Sequence, residues 1–229
     1  TVDTTAPVIS LTGNSNVTIG QDQTYNDPGA IAIDTLDGTI SEDITATNPV
    51  NTNTVGSYII RYNVSDRAGN PATEVVRTVT VVSNLDQNND GTADAIQTNV
   101  MGLTNEVTER PAILETDESC SVDNAIVRAE IANNAQDADY DYPDGLFSFK
   151  LVCEAGHQAT IKLYNYDAQS SETLLRKYNP NTGTYFTIDD AQFTRTTIHD
   201  TPVTIVSYQV QDGSERDMDG EVNGEIVDP

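Results

Sequence analysis

Oxygen-bearing side chains stand at every second position early in "LDQNNDGTADAIQ", residues 85–97. Asp86, Asn88 and Asp90 are followed by Gly91 and then by Asp94. A hard divalent cation such as calcium takes about 6–8 oxygens, and short alternating carboxylates and amides in a loop supply them. Numbered as a twelve-residue loop, Asp86, Asn88 and Asp90 hold the first, third and fifth places. Gly91 permits the sharp turn, Thr92 offers its carbonyl, and Asp94 falls ninth, where water often bridges. The twelfth place, usually a bidentate carboxylate, is Gln97, which predicts weak binding unless a carboxylate comes from a neighbouring domain. The competing reading is a solvated turn capped by its own Asx side chains.

The C-terminal stretch repeats the spacing. Asp217, Asp219, Gly220 and Asn223 match Asn88, Asp90, Gly91 and Asp94. Glu215 falls in the first place, Ile226 in the twelfth cannot ligate, and Asp212 and Asp228 are the expected outside donors. An acidic frayed tail is the alternative. A third cluster, "QDADYDYPDG", gathers Asp137, Asp139, Asp141 and Asp144 with Tyr140 and Tyr142. It reads first as a surface loop, and otherwise as a cation or sugar contact. Asp34, Asp37, Asp66 and Asn70 lie in turns where Asx capping suffices, with cadherin-like calcium binding the alternative.

Catalytic constellations are missing. There is no GxSxG, HExxH or Gly-rich phosphate loop. His157 and His199, the two histidines, lack ligand spacing and read as surface or turn residues. Paired carboxylates could form a glycosidase dyad, but no Trp and four Phe argue against a sugar-stacking cleft. The chain is expected not to be an enzyme.

The elements that must position these loops are β-strands. In residues 7–82 the segments "PVISL", "NVTI", "AIAI", "DITAT", "SYIIRYNVSD" and "EVVRTVTVV" alternate. Tyr58, Ile60, Tyr62 and Val64 share one face, and Ile59, Arg61 and Asn63 the other. Turn signals such as "YNDPG" and "DRAGNP" recur about every ten residues, the mark of an antiparallel sandwich. From Val100 a second strand set follows: "NAIVRAEI", "GLFSFKLV", "ATIKLYNY", "TLLRKY", "TYFTI" and "PVTIVSYQV". Imperfect alternation in "LFSFKL" hints at burial on both faces. The expected fold is all-β: two antiparallel β-sandwiches, residues 1–83 and 100–229, joined by a calcium-binding linker at 84–99.

Charge and cysteine content narrow the setting. Eleven Lys plus Arg against 36 Asp plus Glu leave −25, a field that repels nucleic acid and anionic membranes and attracts cations. With Lys150, Lys162 and Lys177 the only lysines, no large basic patch can form. No apolar run approaches the roughly 18–20 residues of a membrane span, so membrane insertion by this segment is not expected. The start at Thr1 and stop at Pro229 predict a fragment, a monomer within a longer multidomain chain. Cys120 and Cys153 are expected to be bonded to each other in an oxidising compartment, two separate buried thiols being the alternative.

"DTTAPVISLTG", "DPGAIAIDTLDGTIS" and "VGSYIIRYNVSDRAGNPATEVVRTVTV" resemble the bacterial immunoglobulin-like modules found in tandem on surface proteins. That resemblance implies a spacer or adhesive module. The loop at 85–97 resembles a thrombospondin type 3 calcium repeat. With "GLFSFKL", "ATIKLY", "KYNPNTGTY" and the ending "DMDGEVNGEIVDP", it is also similar to the choice-of-anchor U domain, which implies an exported, surface-anchored bacterial protein. The glycosylation-type triplets "NVT" and "NVS" are then idle. The leading expectation is a calcium-stiffened stalk or adhesion segment, secreted and held at the bacterial cell surface. The alternatives are a calcium-dependent glycan- or peptide-binding module, with contacts among Tyr140, Tyr142, Tyr164, Tyr166, Tyr178 and Tyr185, and a non-catalytic appendage of a secreted hydrolase.

Overall fold

The computed structural model describes residues 3–168 and 174–228. The chain divides into two compact units, Thr1–Asn84 and Leu85–Pro229. In both, strands are the main regular elements, beside short 3-10 turns at Ser41–Asp43, Asp94–Ile96 and Glu130–Ala132.

In the first unit the strands are β1 Val8–Leu11, β2 Asn16–Gly20, β3 Ala30–Asp34, β4 Gly38–Thr39, β5 Thr45–Thr47, β6 Gly56–Asn63 and β7 Val75–Val82. They form a three-stranded sheet, β1-β3-β4, and a four-stranded sheet, β2-β7-β6-β5. Alternation places the core as the sequence predicts: Ile60, Tyr62 and Val64 are buried while Ile59, Arg61 and Asn63 are exposed. They pack with Ile9, Ala32, Ile40 and Val79. One pair departs from the antiparallel expectation, because β2 lies parallel to β7 from Asn16↔Thr78 to Gly20↔Val82.

That core also holds a charge. The Arg77 side chain is fully buried and ion-paired with Asp27. Its remaining N–H groups donate to the carbonyls of Asn14, Thr12 and Gly29 at 2.9, 2.6 and 3.2 Å. Burial and the bond to Asp27 push the Tyr62 hydroxyl pKa well up.

Unit two contains β8 Val100–Thr104, β9 Pro111–Glu115, β10 Ser121–Arg128, β11 Leu146–Val152, β12 Gln158–Tyr166, β13 Arg176–Asn179, β14 Thr184–Thr187, β15 Gln192–Ile198, β16 Thr201–Gln211 and β17 Glu225–Asp228. A five-stranded sheet, β15-β16-β12-β9-β8, and a three-stranded sheet, β10-β11-β17, accompany the β13–β14 hairpin. Leu114, Phe147, Phe149, Leu151, Ile161, Leu163, Tyr208 and Ile226 belong to one buried cluster. The strand expected at "TLLRKY" begins at Arg176, and Thr173 lies outside the described residues. Cys120 and Cys153 form a disulfide. They stand just beyond the Ser121↔Val152 pair, so the bond clamps one end of the β10–β11 ladder.

Two carboxylate loops and the strands beneath them

Period-2 alternation decides what the five-stranded sheet shows on its two faces. Along β12, Ala159, Ile161 and Leu163 enter the main core, while Lys162, Tyr164 and Tyr166 take the opposite face. The neighbouring β9 sets Leu114 inward and Ile113 and Glu115 outward, with Lys162 opposite Glu115 and Tyr164 opposite Ile113. Val100, Ile113, Tyr164, Ile198 and Val203 form a second buried cluster on that outer face.

The 85–97 loop is fastened to this same face. The Tyr166 hydroxyl donates to the Gln87 carbonyl. Asn88 Nδ2 donates both to Asp90 Oδ2, at 3.0 Å, and to Glu115 Oε2, at 3.2 Å. The loop therefore folds as part of the second unit, and its division from the first falls between Asn84 and Leu85. Gly102 on β8 permits the approach, since a Cβ there would stand 2.7 Å from Gln87 Oε1.

Within the loop the carboxylates cap the backbone. Asp86 accepts from the N–H groups of Asp90 and Gly91 at 3.1 and 2.9 Å. Asp90 Oδ1 accepts from Thr92 N–H at 2.8 Å, and its Oδ2 from Gln97 Nε2 at 2.6 Å. Asp94, 8% exposed, accepts from Gln87 N–H. Gly91 takes a left-handed φ of 94°, which makes the turn between Asp90 and Thr92. Burial raises the Asp94 pKa, and the Asp86 and Asp90 charges add to the rise. For Asp90, amide donors led by Gln97 outweigh burial and hold its pKa low, with Lys162 helping.

The C-terminal loop uses the same chemistry. Asp212 Oδ2 accepts from Gly156 and Gly224 N–H at 2.6 and 3.0 Å. Asp217 accepts from Gly213 and Val227 N–H at 2.8 and 3.0 Å. Asp219 accepts from Glu221 N–H and from Asn223 Nδ2. Both Asp212 and Asp217 are buried, and burial raises the Asp217 pKa, reinforced by Asp219 and Asp212. Asp228 does not belong with them. It lies in the core, ion-paired with Lys177 at 2.5 Å and accepting from the Tyr208 hydroxyl. Its oxygens are taken by a lysine distant in sequence and by the Tyr208 hydroxyl.

These oxygen sets suit a hard cation by donor type. In this arrangement the NH₂ of Asn88 stands between Asp90 and Glu115, and that of Gln97 against Asp90. Ligation by the Asn88 oxygen requires the amide to turn over. Among the described residues, two triads bring ligand atoms within 4.8 Å of one another, and neither is in these loops. One is Asp117, Cys120 and His157, where the sulfur is already in the disulfide. The other, Asp3, Asp34 and Asp66, is in the first unit.

The tyrosines do not form one exposed strip. Tyr164 and Tyr178 are buried, and Tyr164 donates to Glu115, so neither ring offers a face to an external ligand. Tyr166 serves the Gln87 contact. Tyr142 and Tyr185 pack with ring centroids 5.6 Å apart, and Tyr142 donates to Asp137. Tyr140 is the exposed member, with the Arg176 guanidinium 4.2 Å from its ring centre. Beside it lies a cavity of about 120 Å³ lined by Asp141, Tyr142, Asp144, Asn165 and Arg176, among others.

Glu115 carried no sequence signal. It is 27 residues from Asn88, and only strand pairing brings it to the loop.

Residues 9–81 match the family described as "Bacterial surface protein, Ig-like domain". The first unit is thus similar to an immunoglobulin-like surface module, on about a third of the chain. No curated protein matches. Among solved structures, a lipoprotein from Bacteroides thetaiotaomicron aligns at 14% identity and a TM-score of 0.33, over 89% of this chain and 100% of its own. A Clostridium perfringens chain with a carbohydrate-binding module in complex with GlcNAc, and INT domains, aligns at 12% identity and 0.29, over 96% of this chain and 48% of its own. Carbohydrate-binding modules from the β-sandwich superfamily align at 14% identity and 0.24, over 91% and 92%.

Proposed function

We propose that this chain is a non-catalytic, calcium-stiffened segment of a bacterial surface protein, built to hold other parts of that protein in place. The supporting observation is the meeting of Asp90 and Glu115 on the two hydrogens of one Asn88 side chain. The loop's own twelfth residue, Gln97, is neutral, and Glu115, whose Oε1 is paired with Lys162 and whose Oε2 accepts from Tyr164 and Asn88, would turn Oε2 to the ion in its place. No three of Asp86, Asp90, Asp94 and Glu115 bring their oxygens within 4.8 Å of one another as they stand, so these side chains would close in to hold the ion, which would offset their crowded charge and fix the loop's backbone. The Asp212, Asp217, Asp219 and Asn223 loop would hold a second ion.

Mass action sets the size of the effect. A ligand bound only by the folded state adds about 2.7 kcal/mol at a hundredfold excess over Kd. Affinity on the order of 10⁻⁴–10⁻³ M is expected of an extracellular module, and tighter if Glu115 ligates. Melting and small-angle scattering in calcium and in chelator test this. Calcium should raise the melting temperature, and Asp90→Ala should remove the first loop's share while leaving that of Asp217 and Asp219. An unchanged melting temperature and maximum dimension would sink the reading.

A second reading has one observation in its favour: exposed Tyr140, stacked on Arg176 beside the cavity, is a stage for a glycan or peptide. A glycan and peptide array probed with and without calcium, alongside Tyr140→Ala, decides it.

A further inference from the structure

The tightest gathering of carboxylates in the first unit is at the end of its three-stranded sheet. Oxygens of Asp3, Asp34 and Asp66 lie within 4.8 Å of one another. They come from three separate places: the segment ahead of β1, the last residue of β3, and the turn between β6 and β7. Asp34 and Asp66 are 3% and 7% exposed. Capping explains half of Asp34. Its Oδ2 accepts from Leu36 and Asp37 N–H at 2.7 and 2.9 Å, while its buried Oδ1 has no partner among the described residues.

A buried charged oxygen left without donor or counterion is costly, and native structures rarely leave one so. Asn70 takes care of Asp66, donating from its N–H and Nδ2 at 2.7 Å each, and its Nδ2 also reaches the Asp3 carbonyl at 3.2 Å. Asp3 Oδ1 accepts from Thr5. No arginine serves the triad: Arg67, the residue after Asp66, turns outward and stands 3.9 Å from Asp37.

We propose that Asp3, Asp34 and Asp66 form a calcium site in the first unit, separate from the two loops of the second. An ion about 2.3–2.6 Å from each ligand fits between oxygens so spaced. It gives Asp34 Oδ1 its missing partner and offsets three like charges. Water would complete a shell of oxygens. Magnesium, which needs shorter bonds and holds its waters, fits a set of chain-borne carboxylates less well. The ion would tie the segment carrying Asp3 to the end of the sandwich.

The test is a calcium titration of the whole chain followed by amide NMR, up to about 10 mM, roughly tenfold above the weak end of extracellular affinities. The N–H groups of Leu36, Asp37, Asn70 and Thr5 donate to these carboxylates, so they should shift together and saturate. Asp34→Asn keeps the acceptor for Leu36 and Asp37 and should abolish the shifts. Asp3→Asn lies outside the strands and should weaken binding about tenfold through the lost ligand charge. The shifts should persist in the Asp90→Ala, Asp217→Ala chain. No movement of these amides with calcium, or an equal response to magnesium, overturns the proposal. Movement of Gly91 and Val227 amides in that case leaves the loops of the second unit standing.

Discussion

Asp27 meets Arg77 inside the first sandwich, its carboxylate paired with a guanidinium that has no exposed surface. Breaking such a pair from one side leaves a buried charge unanswered, which costs about 3–5 kcal/mol. Asp27→Ala should therefore lower the unfolding free energy of the first unit by that order in urea titration. Asp27→Asn, which keeps an acceptor for Tyr62 and Arg77, should cost less. Equal stability of Asp27→Ala and the parent chain would contradict this role.

The acid limb of stability should include Asp117. Burial alone would raise its pKa, but the Thr160 amide, His157 and Ser119 N–H outweigh burial and hold it below the ordinary value. Thr160 N–H donates at 3.0 Å, and His157 Nε2 stands 3.0 Å away. A carboxyl whose folded pKa is depressed adds stability fully present above its unfolded value of about 3.9. That share is lost as pH falls through the lower, folded value. Asp117→Asn should lower stability at neutral pH and flatten its fall below about pH 4, read from melting curves across the acid range.

Gly224 should not tolerate a side chain. Its φ is 85°, and a Cβ would stand 2.8 Å from the Cys153 carbonyl. Its N–H also donates to buried Asp212. Gly224→Ala is expected to cost about 1–3 kcal/mol from the backbone conformation alone, more with the clash. A fall in melting temperature, with disturbed Asn223 and Gly156 amides in NMR, is the check.

Reducing the disulfide should selectively destabilise the second unit. Closing a loop of 33 residues is worth roughly 3–4 kcal/mol in the chain-entropy account. Cys120→Ser with Cys153→Ser should lower the calorimetric transition of that unit and leave the transition of the first in place.

Much of the fold could be read locally because strand alternation is local. Tyr58 to Val64 disclosed their faces, and the ambiguity of "LFSFKL" marked a strand with Leu146, Phe147, Phe149 and Leu151 all buried. Contacts across the sheets were another matter. Nothing near Arg77 in sequence pointed to Asp27, fifty residues away. Asp228 read as a donor to the C-terminal loop because its partner, Lys177, lies in the β13–β14 hairpin, far away in sequence. Asp34 and Asp66 looked self-sufficient as turn caps. Capping uses one oxygen of Asp34, and the idle one shows only when burial is known.

The parallel run of β2 beside β7 has a mechanical consequence. β2 lies near the entry of the first unit and β7 at its exit, and Asn16 and Val82 are at diagonally opposite corners of their ladder. Tension along the chain would therefore drag the two strands lengthwise past each other. All five rungs from Asn16↔Thr78 to Gly20↔Val82 share that load at once, instead of parting singly as in a zipper. A domain loaded in shear yields at higher force than the same bonds peeled from one end.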